Sequence, residues 1–105
     1  MTDVELIEAA AKAIGLEHPL CWEANHAQGE PYAYVKTGDA SYWRPLGDDG
    51  CALRLAIELG IEVVWPEGVT IAYGDKGEIF TEDHGDDPYA ATRRAIVRAA
   101  AAMAG

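Results

Sequence analysis

Residues 43–56 read WRPLGDDGCALRLA, and this stretch decides how the middle of the chain folds. Pro45 and Gly47 favour a turn. Asp48 or Asp49 then suits the N-cap of a helix, because a carboxylate accepts hydrogen bonds from the free backbone N–H groups of the first turn. An acid–base pair is the alternative interpretation, but adjacent side chains usually point to different sides. The stretch therefore predicts a turn that leads into a helix.

The apolar residues of this helix cover more than half of its circumference. They are Ala52, Leu53, Leu55, Ala56, Ile57 and Leu59. The remaining residues, Cys51, Arg54 and Glu58, form a narrow outer strip. Because a helix this apolar is covered on more than one side, we predict that it is the most buried helix of the protein. We expect it to end at Gly60.

Two further helices are predicted towards the ends of the chain. Thr2 and Glu5 form a capping box for a helix over residues 3–14, and Gly15 suits the left-handed position after it. Pro88 suits the first turn of a helix that runs to about Met103.

The last helix carries two more predictions. Asp86 or Asp87 is the expected N-cap. Arg93 falls beside the apolar stripe of the helix. Because the protein is so acidic, we expect this arginine to pair with a carboxylate, either Asp48 or Asp49, as a structural clamp.

Strand patterns lie between the helices. Residues 61–65, 69–73 and 78–82 predict a meander of three short antiparallel strands, because turn-forming residues separate them. Earlier in the chain, strands are expected near residues 20–23, 32–35 and 41–43. The predicted fold is a single α+β domain over residues 1–105, with a small, mainly antiparallel sheet of three to five strands covered by three helices in an α-β-α sandwich-like arrangement.

Within the meander, alternation assigns side chains to faces. Val69, Ile71 and Tyr73 share one face of the sheet, and Ile79 is expected on one face with Phe80 on the opposite one.

The composition restricts the classes of partner. The chain has 105 residues, 18 of them acidic and 8 basic, and a formal net charge of −10. This balance argues against direct binding to nucleic acid or to anionic membranes, both of which need clustered lysine and arginine. It permits a basic protein partner, such as a nucleic-acid-handling complex of a host cell. The alternative is that the charge serves solubility alone.

The sequence also indicates a compartment. No stretch approaches the ~20 apolar residues that a membrane span needs. The first residues are acidic and their apolar positions are spaced, which is unlike a signal peptide. We therefore expect Cys21 and Cys51 to be reduced and packed, in the cytoplasm of a bacterial host.

Candidate metal and catalytic residues are few. Cys21 and His26, with His18 nearby, lack the four ligands of a zinc site. The segment EDHGDDP at residues 82–88 lacks the alternating oxygen ligands of a calcium loop. Ser41 sits in no nucleophile elbow, and nothing local supports a pair of Cys51 with His84. We expect no catalytic residue, no metal, no cofactor and no enzymatic activity.

Two groups of residues are candidates for protein binding. Aromatic residues, which are enriched at interfaces, concentrate in one third of the chain: Trp22, Tyr32, Tyr34, Tyr42 and Trp43. The acidic candidates are Asp48, Asp49, Glu82, Asp83, Asp86 and Asp87. For the aromatic group the alternative is that it fills a small core beside the central helix.

Two segments carry a family resemblance. WRPLGDDGCALRLA at residues 43–56, followed by a helix stop and IEVVW, and ATRRAIVRAA at residues 91–100 resemble the phage α-β-α (ABA) sandwich domain proteins, a family of small bacteriophage proteins. The family pattern has a further acidic residue where this chain has Cys51. The resemblance implies a sheet covered by helices on two faces and a phage or prophage origin. It implies no reaction and no catalytic residues.

These observations lead to ranked hypotheses of function. The first is a phage accessory protein that binds another protein stoichiometrically, in its sharper form an anti-CRISPR-like inhibitor whose acidic face mimics nucleic acid. A minor structural or assembly component of the virion is the alternative. A small hydrolytic enzyme that uses Asp48, Asp49 and His84 is the third. The oligomeric state is left as monomer or homodimer.

Overall fold

The computed structural model describes residues 2–16, 20–25, 30–36 and 42–104, with backbone only for residues 20–25, 30–36 and 42. Three helices and six strands follow one another in this part of the chain: α1 (Asp3–Ala13), β1 (Leu20–Asn25), β2 (Glu30–Lys36), β3 (Tyr42–Trp43), α2 (Asp49–Leu59), β4 (Glu62–Val64), β5 (Val69–Tyr73), β6 (Ile79–Asp83) and α3 (Pro88–Ala102). The predicted α+β class is confirmed. The strands divide between two antiparallel sheets, ordered β1-β2-β3 and β4-β5-β6.

The ends of the helices follow the predicted signals. Thr2 Oγ1 accepts a hydrogen bond from Glu5 N at 3.1 Å, and Glu5 Oε1 accepts one from Thr2 N at 3.0 Å, so the capping box of α1 is complete. Asp87 caps α3 by accepting hydrogen bonds from Tyr89 N and Ala90 N. Gly60 ends α2 in the left-handed conformation, with φ of 67°, where a residue with a Cβ is strained.

Helix α3 is the centre of the fold. It lies between the β4–β6 sheet and the other two helices. Thr92 and Arg98 form hydrogen bonds with strands β5 and β6, respectively. On the other side, Arg94 donates a hydrogen bond to Asp3 of α1, and Arg93 donates one to Asp49 of α2. Its buried residues surround the axis: Ala91, Ala95, Ile96, Val97, Ala99, Ala100 and Ala101. Alanine leaves the neighbouring elements room to approach α3 closely on each side.

The prediction that α2 is the most buried helix is therefore wrong. Helix α2 packs against α3 on one side and buries Cys51, Ala52, Leu55 and Ala56. Leu53 and Ile57, on the neighbouring surface of α2, are exposed. The broad apolar pattern of α2 therefore covers two surfaces, one that packs on α3 and one that lines a groove.

The meander has the predicted pairing and faces. Ala72 of β5 pairs with Val63 of β4 and with Phe80 of β6. These positions form the face that packs on the core, together with the fully buried Thr70. Val69, Ile71 and Tyr73 lie on the opposite face, as predicted, and are half-buried.

Two leucines of α2 test this packing. Leu55→Ala removes a side chain that is 1% exposed, so we expect the free energy of unfolding to fall by about 2–5 kcal/mol. Leu53→Ala, which is the same change at an exposed position of the same helix, should cost about 0.5 kcal/mol or less. Urea unfolding followed by circular dichroism measures both values, and equal losses would contradict one-sided burial of α2.

Candidate functional site

An apolar groove of about 850 Å³ opens between α2, β4 and the first half of α3. Helix α2 forms one wall, strand β4 and the residues beside it form the other, and α3 lies beneath. The lining residues are Asp49, Ala52, Leu53, Ala56, Ile57, Gly60, Ile61, Glu62, Val63, Trp65, Pro88, Tyr89, Thr92, Arg93 and Ile96. A concave, mainly apolar surface of this size is typical of a binding site.

The exposed large apolar side chains converge on this groove. In the part of the chain with described side chains, five such residues are exposed, and four of them line the groove: Leu53, Ile57, Trp65 and Tyr89. Each of the four is between 59% and 69% exposed. The fifth, Ile79, lies on β6. Single exposed apolar residues are common, but a contiguous patch usually marks an interaction surface.

Small residues give the groove its depth. Ala52 and Ala56 of α2 and Ile96 of α3 are buried at its base. Longer side chains at the two alanine positions of α2 would fill the space between the helix and the strand. The groove is therefore a consequence of which residues face inwards on α2, with leucine and isoleucine at its rim and alanine at its base.

A chain of hydrogen bonds fixes the strand-side wall. Trp65 Nε1 donates to Thr92 Oγ1 at 3.0 Å, and Thr92 Oγ1 donates to the Pro88 carbonyl at 2.8 Å. Thr70 Oγ1 lies 2.8 Å from Thr92 Oγ1 and 2.8 Å from His84 Nε2. The hydroxyl of Thr70 thus links Thr92 to the imidazole of His84. The indole of Trp65 is thus tied to α3 through its N–H group.

Arg93 closes the end of the groove near the start of α2. Its Nη1 donates to Asp49 Oδ1 at 2.6 Å, and its Nε donates to the Leu46 carbonyl at 2.9 Å. The predicted pairing of Arg93 with a carboxylate of this turn is confirmed, with Asp49 as the partner. The clamp ties the turn before α2 to α3, and it borders the groove as well.

Asp48 is the N-cap of α2. Its Oδ2 accepts a hydrogen bond from Cys51 N at 3.2 Å. Hydrogen bonds from the thiol and then from the backbone N–H of Cys51 lower the pKa of Asp48. Burial raises the pKa of the Cys51 thiol, so this thiol stays protonated and unreactive at neutral pH. The two aspartates of the turn therefore have separate roles, one as a cap and one as an ion-pair partner.

The predicted acidic candidates are spread over the surface. Asp49 lines the groove, Asp48 and Asp87 are caps, and Asp83 and Asp86 are exposed.

Glu82 lies on the opposite side of α3 from the groove. It accepts a 2.6 Å hydrogen bond from Arg98 Nη1, and both residues border a second, smaller pocket with Arg94.

The predicted aromatic candidates lie in the β1–β3 sheet. The register places Trp22 opposite Ala33, Tyr34 opposite Cys21 and Tyr42 opposite Lys36, with Tyr32 opposite Glu23. The side chains of these four aromatic residues are outside the described part of the structure. Trp43 is half-buried and packs against the core, which agrees with the alternative interpretation at this one position.

The exposed apolar residues of the groove were not among the candidates. Leu53, Ile57, Trp65 and Tyr89 come from three separate segments, and only the fold brings them together. One signal was present: the apolar circumference of α2 exceeds what a helix packed on a single neighbour can bury.

The remaining candidates for metal binding or catalysis lie in ordinary surroundings within the described part of the structure. Among residues with described side chains, no three His, Cys, Asp or Glu residues cluster so as to hold a metal ion. The Cys51 thiol accepts a hydrogen bond from Arg44 N at 3.5 Å. The predictions about His18, His26 and Ser41, and about the side chain of Cys21, fall outside the described part. None of the three described helices has the length and apolarity to cross a membrane.

Comparisons with known proteins bring no relative. No protein-family model matches the chain, and no curated protein or solved structure does so either. The resemblance to the phage ABA sandwich proteins therefore stays a prediction.

The cap of α2 gives a testable pH dependence. Asp48→Ala should lower the free energy of unfolding by about 1 kcal/mol at pH 7, because the first turn loses its acceptor. Since the folded-state pKa of Asp48 is lowered, this contribution is fully present above the unfolded pKa of about 3.9 and is lost as the pH falls through the lower folded pKa. The measurement is urea unfolding of both proteins at pH 7 and near pH 3. A gap that stays constant with pH would contradict this role of Asp48.

Proposed function

We propose that this protein acts by stoichiometric binding of another protein, with the groove between α2, β4 and α3 as its contact surface and with no chemistry of its own. The observation that carries the proposal is the convergence of Leu53, Ile57, Trp65 and Tyr89 on one concave surface. Tryptophan and tyrosine at the centre of a well-packed pocket often dominate the energy of an interface.

The orientation of Trp65 adds to this argument. The hydrogen bond from Trp65 to Thr92 favours one orientation of the indole, which lowers the side-chain entropy that docking of a partner would cost. An oriented aromatic beside exposed leucine and isoleucine suits the recognition of apolar side chains better than the recognition of a polar substrate.

Charge favours a basic protein as the partner. The chain carries a net charge of −10, and the carboxylates of Asp49 and Glu62 lie along the groove. Asp86 and Asp87 precede Pro88, another lining residue. A basic surface is therefore attracted over long range and meets carboxylates at the rim, which gives association a strong dependence on salt.

A narrower form of the proposal concerns phage biology. In this form the protein is a phage accessory protein that inhibits a host defence system, as an anti-CRISPR protein does, by occupying a basic nucleic-acid channel. The high negative charge favours it. Electrophoretic competition tests it: an excess of the protein should displace nucleic acid from the captured host complex. Failure to displace it would remove the nucleic-acid mimic and leave the binding proposal in place.

Two exposed isoleucines provide a matched test of the groove. Ile57→Ser should weaken partner binding about tenfold or more, because it removes an apolar side chain from the contact surface. Ile79→Ser makes the same change at a position that is equally exposed but lies outside the groove, and it should leave binding unchanged. The measurement is a pull-down from bacterial lysate at low and high salt, followed by titration of the partner that is identified.

Two outcomes of the pull-down distinguish binding at the groove from binding elsewhere. A stoichiometric partner retained by the wild type and by Ile79→Ser, lost by Ile57→Ser and weakened by salt supports the proposal. A partner captured equally by all three proteins binds elsewhere, and this result would overturn the role of the groove.

A further inference from the structure

Strand β4 has one edge with which no other described strand pairs. It is the terminal strand of the sheet ordered β4-β5-β6, and its antiparallel pairing is with β5 alone among the described strands. The backbone groups on its other edge are the kind that an incoming strand can use.

Hydrogen bonds at the two ends of the β5–β6 ladder show which groups point outwards. Gly74 N donates to Glu78 O at 2.8 Å, and His84 N donates to Gly68 O at 2.9 Å. In an antiparallel pair the hydrogen-bonded positions alternate, so Thr70 and Ala72, which lie between these two glycines, also direct their backbone groups towards β6. The alternate residues of β5 direct theirs towards β4.

This alternation determines which backbone groups of β4 face β5. Ile71 and Tyr73 are the residues of β5 that face β4, and they pair with Val64 and Glu62. The backbone N–H and C=O of Glu62 and Val64 are therefore used by β5. Those of Val63 point to the open edge, and within the described chain no backbone group pairs with them.

The open edge lies along the groove. The strand residues that line it are Glu62 and Val63 of β4, with Ile61 and Trp65 on either side, and none comes from β5 or β6. The groove thus occupies the position that a further strand of this sheet would take, above α3 and beside α2. Its apolar rim on α2, Leu53 and Ile57, faces this position.

We propose that the groove binds an extended segment of the partner protein, which adds to β4 as a fourth strand of the sheet. This inference rests on the proposed function and specifies how the partner is held. Val63 N–H donates to, and Val63 C=O accepts from, the backbone of the segment. Alternate side chains of the segment then point into the groove towards α3, as strand geometry requires.

Charge identifies the chemistry of the segment. A second copy of this chain could in principle pair through the same edge, but each copy carries a net charge of −10 and would bring a second Glu62 to the same edge. A segment with alternating apolar and basic residues satisfies both surfaces, because its apolar side chains fill the groove and its lysines or arginines meet Glu62. The occupant is therefore a basic, extended segment of another protein.

Val63 allows the edge to be tested directly. Val63→Pro removes the outward N–H while the bonds between β4 and β5, which use Glu62 and Val64, are retained, and proline is tolerated at strand edges. Val63→Ala is the matched control, because it shortens the side chain but keeps the N–H. The probe is a displayed library of random peptides of about ten residues, selected on the full wild-type chain. Binders are then titrated against Val63→Pro, Val63→Ala and Ile57→Ser, after circular dichroism has shown that each variant is folded.

The expected result is enrichment of peptides that alternate apolar and basic residues. Val63→Pro should weaken their binding about tenfold, as for loss of a buried hydrogen bond, and Val63→Ala about threefold or less. Loss with Ile57→Ser but not with Val63→Pro, or enrichment of apolar residues at helical spacing, would overturn strand addition and leave the groove as the binding surface. Failure to enrich any peptide, or binding that none of the variants changes, would overturn both proposals.

A second measurement does not depend on the folding of Val63→Pro. One selected peptide is resynthesised with a single N-methyl group at each backbone nitrogen in turn. Strand addition predicts loss of binding at alternate positions only, because every second N–H faces β4. Uniform tolerance of N-methylation along the peptide would overturn the inference.

Discussion

Close packing around α3 is the constraint on which the rest of the structure depends. The helix meets the β4–β6 sheet on one side and α1 and α2 on the other, and alanines at Ala91, Ala95, Ala99 and Ala100 let all three approach its axis. Each neighbour is also joined to α3 by an ion pair, through Arg94 to α1, Arg93 to α2 and Arg98 to β6. Because the neighbours are positioned by α3 rather than by each other, α2 and β4 do not have to touch, and the groove is the space left between them.

The groove combines three properties that separate parts of the chain supply. Helix α2 contributes an apolar rim that nothing in the described structure covers. Strand β4 contributes backbone groups at an open edge. The hydrogen-bond chain from Trp65 through Thr92 and Thr70 to His84 orients an indole at its edge. A partner strand would form hydrogen bonds with the edge of β4 and bury the apolar rim of α2 at the same time. Backbone pairing and side-chain contacts would therefore form together, because the edge and the rim border the same groove.

Local signals in the sequence were sufficient for the elements and their ends. Thr2, Asp48, Asp87 and Gly60 specify caps through short-range hydrogen bonds and backbone conformation, and the structure has them in those roles. Arg93 could be assigned a carboxylate partner because an arginine beside an apolar stripe needs one. The burial of α2 and α3 was not predictable in this way, since alanine carries little hydrophobic signal and the excess of leucine and isoleucine on α2 reads equally as core or as binding surface. The groove joins residues from three segments, and no local pattern could have brought Leu53, Trp65 and Tyr89 together.

The edge of β4 that no described strand covers also bears on self-association of the free protein. An open strand beside exposed apolar side chains is a template for unwanted self-association, and one common protection is electrostatic repulsion between copies. The net charge of −10 at neutral pH supplies that repulsion, while the isoelectric point near 4.5 marks where it vanishes. At neutral pH the acidic composition therefore opposes pairing of this edge with a second copy, and it would favour pairing with a chain of opposite charge.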